Sequence, residues 1–436
     1  MQKKMTMRLI PALIAIAFSG AASASAFQLL EQNASGIGNS YAGSAAVAEN
    51  ASTVFYNPAG MTELRDREIS LGGSFVQTSY KFSNNGSSVG VLSGNGNDGG
   101  GLGFIPNAYM SWALNKDWYL GLGIGAPFGL KTEYDNPWVG AAQSIKFDIK
   151  TVNINPSVAW RASDWISLGF GINWQKIDAE YVRAVGTLTP GLAGSTATLN
   201  LSDNSWGWNA GALFKLSPST KVGISYRSAI KHSLGGDVAV SSDGSAAANA
   251  TAAGLSAAGA SSNTSTAIKL PDTFILSATH RLNDQLELLG DISWTGWSSI
   301  PKVDIIRTSG AMNGVTAQTL HTDFRDTWRV AIGANYTLNS AWKIKAGVAH
   351  DQTPVKDAEH RLVSLPDNNR TWLSLGAQWK PNKETTVDFG TAYLFVRDSQ
   401  INNDQRSTVA TSNRGLVQGN YNASAWIFGA QVSYAF

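Results

Sequence analysis

Five histidines, His232, His280, His321, His350 and His360, are the side chains of this chain that titrate near neutral pH without perturbation. Hydrolytic chemistry would need one of them paired with a serine and an orienting third group. They are scattered singly, and no nucleophile elbow accompanies any of them. There is no cysteine, which excludes disulfides, thiolate zinc sites and a cysteine nucleophile. Gly121, Gly123 and Gly125 form a G-x-G pattern, but neither a helix nor a Walker lysine follows, so it is not a nucleotide loop. What that stretch offers is mechanical. Gly121, Gly123, Gly125, Pro127 and Gly129 weaken a strand, because glycine costs strand stability and proline cannot donate to a ladder, and together they suit a bulge or a break. The chain is therefore read as a non-enzyme without cofactor or metal, and the question becomes what kind of wall that weakened strand belongs to.

The answer begins at the C-terminus. Trp426, Phe428, Ala430, Val432, Tyr434 and Phe436 fall on one face of a strand, and Ile427, Gly429, Gln431, Ser433 and Ala435 on the other. A membrane barrel turns such a ring-rich face to lipid and the small or polar face to its lumen. The same alternation recurs at Ile166–Trp174, Val222–Tyr226, Trp328–Tyr336, Trp342–Val348, Leu373–Trp379 and Val387–Phe395. Lys345 and Asp388 fall on inward rows, which avoids the roughly 2–4 kcal/mol that a basic residue costs at the lipid midplane.

Composition agrees. Residues 1–26 have the plan of an export signal: Lys3, Lys4 and Arg8, a short apolar stretch from Leu9 to Phe18, then Ala24-Ser25-Ala26 as a small-residue cleavage site. Processing there would start the mature chain at Phe27. It would also change 33 basic and 31 acidic residues into 30 against 31, which leaves no basic excess for a nucleic-acid partner. No later segment has 18 consecutive apolar residues, so no spanning helix is expected. Yet the chain carries 15 Trp, 16 Phe, 12 Tyr and 44 Gly. In lipid every backbone polar group must be paired internally, and a closed barrel achieves this without an edge.

Fourteen strands are expected, near residues 67–82, 103–115, 117–131, 149–161, 164–184, 203–216, 220–240, 266–282, 284–297, 324–338, 341–354, 368–380, 384–399 and 421–436. Short turns on the periplasmic rim alternate with long external loops at 84–102, 132–148, 185–203, 241–265, 298–323, 355–367 and 401–420. The Ser/Ala/Gly-rich stretch 241–265 is read as a flexible external loop. Before the first strand, Phe27 to Arg65 lacks alternation and cannot span lipid. Ala42–Ala51 is expected as a short helix, and the compact, weakly charged composition favours a plug inside the lumen over a solvated tail.

This segment and the wall contain the blocks Phe27-Gln28-Leu29, Ser35-Gly36-Ile37-Gly38, Tyr41-Ala42-Gly43, Asn57-Pro58-Ala59, Ala126–Tyr134, Trp206–Gly211, Ile224–Ser228, Leu270-Pro271-Asp272, Leu365-Pro366-Asp367 and the terminal Tyr434-Ala435-Phe436. In this order they resemble the FadL family of outer-membrane transporters of long-chain fatty acids and other hydrophobic compounds. The resemblance covers essentially the whole mature chain. It implies an all-β fold, a 14-stranded antiparallel transmembrane β-barrel (67–436) with an N-terminal hatch of short helices inside the lumen (27–66). The implied location is the outer membrane of a Gram-negative bacterium, with outer-membrane lipid, lipopolysaccharide and a hydrophobic small molecule as partners, and a monomer as the unit.

The resemblance also implies roles. Phe27 matches the hatch tip that reaches the pocket. Asn57, Pro58 and Ala59 match the hatch motif, near the kinked strand. Gly125, Pro127, Phe128 and Gly129 match an inward kink of the third strand through which cargo leaves sideways into the membrane, without energy input. Arg183 aligns with a basic residue near the substrate carboxylate, a planar fork suited to that group; at the external rim it would otherwise meet lipopolysaccharide or water. The family's lysine is not evident, and His321 stands where a weaker, pH-dependent substitute would lie. Long-chain fatty acid is the expected cargo; uptake of a toluene-like aromatic hydrocarbon by the same route is the alternative. Outside this class, a general porin would conduct ions steadily, whereas a hatch-filled barrel should conduct little.

Overall fold

The computed structural model describes residues 26–436, so the expected signal segment lies outside the described residues except for Ala26. Fourteen antiparallel strands close into a barrel. They are β1 (Arg67–Asn84), β2 (Leu102–Ala113), β3 (Trp118–Gly125, resuming as Gly129–Glu133), β4 (Lys146–Arg161), β5 (Ile166–Ala184), β6 (Ser195–Ser217) and β7 (Thr220–Arg227, Ile230–Ser242). The circuit continues with β8 (Ser262–Leu270, Thr273–Arg281), β9 (Leu286–Thr295, Lys302–Arg307), β10 (Thr316–His321, Thr327–Thr337), β11 (Trp342–Asp351), β12 (Arg370–Trp379), β13 (Thr385–Val396, Ser399–Asp404) and β14 (Leu416–Ala435). Closure is made by β14 on β1, with Phe75 opposite Phe428 and Gly72 opposite Gln431, so the first and last strands leave no open edge.

The outward rows are exposed as the alternation requires: Phe428 is 51% exposed while Ile427 and Gln431 on the other face are at most 1%. Near the short turns, Trp118 stacks on Trp160 and Trp342 on Trp379 across neighbouring strands, a girdle of rings suited to the lipid–water boundary.

Several outer loops are shorter than the hydrophobic pattern suggests. β6 starts at Ser195 rather than at 203, and pairs with β7 from Ser195↔Ser242 to Ser202↔Gly235. Within 298–323 the chain re-enters the ladder as Lys302–Arg307 against Thr316–His321. The physical reason is common to both. Beyond the lipid band an outward face need not be apolar, so alternation fades while backbone pairing continues. The stretch 241–265 is not a flexible loop throughout. Ala246–Ala257 is a helix whose first turn is capped by the Ser245 hydroxyl accepting from the Ala248 N–H at 3.3 Å. Alanine's helix propensity there outweighs the scattered Gly and Ser.

Residues 27–65 fill the lumen. No helix forms at Ala42–Ala51. Left-handed backbone at Ser40, Tyr41, Gly43 and Ala48 breaks the segment into turns. The short helices lie instead at Ile37–Asn39, Thr53–Tyr56 and Pro58–Glu63. The plug presses so closely on the wall that inward glycines are required. A Cβ on Gly169 would sit 2.3 Å from the Ala59 backbone nitrogen, and one on Gly347 would sit 2.2 Å from the Asn39 carbonyl carbon.

Candidate functional site

Above the plug, inward rows of β4 to β10 form a packed apolar cluster (the chamber, filled by its own side chains) that includes Ile177, Leu199, Leu234, Leu270, Trp297 and Leu320. Phe27, at the tip of the hatch, fills its floor. Its ring meets Trp297 edge-on at 4.9 Å and Phe128 at 5.9 Å, and Trp297 in turn meets Phe324 at 5.9 Å. Both Leu-Pro-Asp blocks serve this chamber. Leu270 and Leu365 enter it, while Asp272 accepts from the Tyr226 hydroxyl at 2.8 Å, and Asp367 pairs with Arg370 and accepts from the Ala26 N–H at 3.0 Å.

Arg183 lies at the outer end of the same chamber, 4% exposed. Its guanidinium donates to Gln318 Oε1 at 2.9 Å and to the carbonyls of Ala184 at 3.0 Å and Ala317 at 3.2 Å. These are neutral partners. A buried cation without a neutralising acid is costly, and an incoming anion would relieve it.

The wall is interrupted beside the chamber floor. β3 pairs with β2 from Ala113↔Tyr119 only as far as Ala108↔Ile124, so the outer half of β2, Leu102–Asn107, has no β3 partner. On the β4 side, three residues, Ala126 to Phe128, stand opposite two, Thr151 and Val152, between the Gly125↔Asn153 and Gly129↔Lys150 pairs. The extra residue pushes the strand inward. Thr151 holds the displaced chain, its hydroxyl accepting from the Phe128 N–H at 2.9 Å and donating to the Phe128 carbonyl at 2.6 Å. Pro127 has no N–H to leave unpaired here.

The hatch covers this break. Leu29 N–H donates to the Pro127 carbonyl and Gly129 N–H to the Phe27 carbonyl, each at 2.8 Å. The buried Gln32 amide donates to the Ala126 carbonyl at 2.7 Å and accepts from the Ala126 N–H at 3.2 Å. A cavity of about 50 Å³ remains between Leu29, Pro127, Phe128, Arg227 and Arg329, enough for a few waters and too small for a long alkyl chain. The hatch tip fills the space beside the interrupted wall.

The structure brings Phe27, Phe128, Pro127 and the chamber together, with Arg183 at the far end. It does not bring His321 there. His321 is exposed on the face of its strand opposite to the buried Gln318 and Leu320, because side chains alternate and it has the outward parity. The Asn57-Pro58-Ala59 motif is also displaced from its expected neighbour. Asn57 donates to the carbonyls of Ala45 at 2.7 Å and Ala212 of β6 at 3.0 Å, and accepts from the Ala59 N–H at 3.1 Å, so it staples the hatch to β6 rather than to the break. Contact with β3 is made by Val54 and Met61 over Gly121 and by Gln32 at Ala126. Trp297 and Gln32 are not evident from motif reasoning. Trp297 does have a signal, its inward parity after the outward Leu288, Ile292 and Trp294, whereas Gln32 has none.

A closed, plugged β-barrel with lipid-facing rings defines the class: an outer-membrane β-barrel. The family described as outer membrane protein transport protein (OMPP1/FadL/TodX) matches residues 15–436, and the chain belongs to it. It is an outer-membrane protein of Gram-negative type that transports hydrophobic compounds. It is 29% identical to outer membrane protein P1 of Haemophilus influenzae over 100% of both chains. It is also 29% identical to the long-chain fatty acid transport protein of Escherichia coli K12, over 94% of each. In fold it is similar to a Pseudomonas aeruginosa FadL homologue (TM-score 0.84, 22% identity, covering 94% and 99%). It is less similar to the Pseudomonas putida toluene transporter TodX (TM-score 0.63, 15% identity, covering 89% and 94%).

Proposed function

We propose that the cargo is a long-chain fatty acid, bound with its chain in the apolar chamber and its carboxylate at Arg183, and released sideways through the break in β3. The single observation that carries this reading is a buried guanidinium with neutral partners only, at the outer end of an apolar chamber whose inner end meets an interrupted wall. The names of the Escherichia coli relative and its counterparts point the same way. Cargo entering the chamber floor competes with the Phe27 ring. Displacing Phe27 withdraws the two backbone hydrogen bonds that the hatch makes across the break, which couples occupancy to opening. Exit into lipid is favoured over exit into water, where each exposed methylene would cost roughly 0.8 kcal/mol.

The test is uptake of labelled oleate and labelled toluene by a Gram-negative host lacking its own such transporter, with wild type beside Arg183→Ala. Oleate uptake dependent on Arg183 is expected. Oleate uptake indifferent to Arg183→Ala, or uptake of toluene in preference, overturns the carboxylate assignment and favours an aromatic hydrocarbon.

A further inference from the structure

Arg183 is not alone at the outer end of the chamber. Arg414, on the loop between β13 and β14, reaches the same carbonyl: its Nη2 lies 3.4 Å from the Ala317 oxygen, to which Arg183 Nη2 donates at 3.2 Å. Arg414 Nη1 is buried and has no hydrogen-bond partner among the described residues. Arg307, at the outer end of β9, lies on the adjoining strand, its N–H donating to the Val315 carbonyl, two residues from Ala317, at 3.0 Å and its Nε to the Ala260 carbonyl at 3.3 Å. The three arginines come from three separate elements, and every partner they have is neutral. Burial lowers the loop guanidinium of Arg414 to about 10.

Several independent contacts hold this arrangement. The Arg414 N–H donates to the Gln405 carbonyl at 3.0 Å. The adjoining Asn413 side chain accepts from the Thr187 hydroxyl at 3.1 Å. Gln143 donates from a third loop to the Gly415 carbonyl at 3.2 Å. Three like charges, two from strand ends and one from a loop, are thus gathered at the roof of the apolar chamber, and among the described residues no acid pairs with them. That is an arrangement for a ligand that brings the negative charge with it.

We propose that Arg414 is the second cation of the head-group site and that Arg183, Arg414 and Arg307 together make the chamber selective for anionic amphiphiles over neutral ones of equal chain length. This rests on the fatty-acid reading and deepens it. Two guanidinium forks converging on one carboxylate satisfy more of its lone pairs than either alone, and the Arg414 donor left free is the one available to the ligand. Arg414 occupies in this chain the role that sequence comparison assigned to His321, which faces outward.

The test is equilibrium binding of oleate and of oleyl alcohol to the full-length barrel in detergent, read by quenching of tryptophan fluorescence, in wild type, Arg183→Ala, Arg414→Leu and Arg414→Lys. Folding of each variant is checked by heat-modifiable migration. Arg414→Leu is expected to weaken oleate about tenfold or more and to leave oleyl alcohol within about twofold, since a charged hydrogen bond is lost from one ligand only. Arg414→Lys is expected to recover part of the oleate affinity. Equal weakening of both ligands, or no change in either, overturns the proposal by making Arg414 a loop-packing residue. A wild type that binds oleate no better than oleyl alcohol overturns instead the fatty-acid reading beneath it. Loss on Arg183→Ala without loss on Arg414→Leu leaves that reading standing and removes Arg414 from it.

Discussion

Lys345 on β11 offers the sharpest test of how the hatch is held. Its Nζ donates to the Ser35 carbonyl at 3.0 Å and to Asp388 Oδ1 at 3.2 Å, and it pairs with Glu49 of the hatch. Lys345 and Asp388 are each 1% exposed and Glu49 17%. The other cation within ion-pair range is Lys343, 3.8 Å from Glu49 and partly exposed. Lys345→Met preserves the stem and deletes the charge, leaving two carboxylates with the Gln378 amide, which donates to Glu49 at 3.3 Å and Asp388 at 3.0 Å, as a shared neutral donor. Removing one partner of a buried pair costs roughly 3–5 kcal/mol, and the nearness of Lys343 argues for the lower end. The β11 and β13 ladders are untouched and Asp388 loses its partner in the wall whether or not the hatch is docked, so the share of the loss carried by Glu49 and Ser35 is the one that falls on docking. About 3 kcal/mol raises the undocked population roughly a hundredfold. Single-channel recording in planar bilayers should show far more frequent open events, and limited proteolysis should cut residues 27–65 faster. Replacing Glu49 and Asp388 by their amides in the Lys345→Met background should restore much of the closure. A Lys345→Met barrel as quiet and as protected as wild type would refute the reasoning, because the buried pair would then contribute nothing to docking.

Other outcomes follow from the same geometry. Glu31, in the hatch, is fully buried and neither oxygen has a hydrogen-bond partner among the described residues. Burial raises its carboxyl from 4.5 to about 7, against the lowering influence of Arg370 and Arg329 and with the raising influence of Asp351. The docked hatch therefore takes up a proton between those values. Docking is strongest below about pH 4.5, weakens by up to about 3 kcal/mol as pH rises to about 7, and is level above; protease protection of the hatch should follow that slope, and Glu31→Gln should flatten it. Gly169→Val should drive a side chain into Ala59 and weaken docking by roughly 1–3 kcal/mol, read as raised conductance with an intact barrel.

The barrel was legible because lipid imposes a period of two on every spanning strand, and the terminal row from Trp426 to Phe436 shows it without ambiguity. Above the lipid that constraint lapses, which is why Ser195–Ser202 and Lys302–Arg307 belong to strands that the pattern did not extend to, and why the helix at Ala246–Ala257 was missed. The break at Pro127 could be read locally, since glycine and proline act through their own backbone. His321 faces outward: a resemblance fixes a position along the chain, whereas a one-residue shift in parity turns a side chain out of the lumen. The Arg183–Arg414 association was illegible for a different reason. It joins residues 183 and 414 through loops whose contacts, such as Thr187 with Asn413, have no periodic signal. Likewise, the inward glycines read as ordinary small lumen residues until the plug is seen against Gly169 and Gly347.

The central claim is that cargo leaves through the wall at β3. Between its flanking pairs, β3 has one residue more than β4. Deleting Pro127 equalises the count and preserves the inward parity of Leu130, so β3 is free to pair straight through and close the gap. Uptake of labelled oleate by cells carrying this deletion, measured beside oleate binding by the purified barrel, is the direct test. The expected result is retained binding with uptake reduced to background. Uptake at the wild-type rate by a folded barrel with the deletion would contradict lateral release.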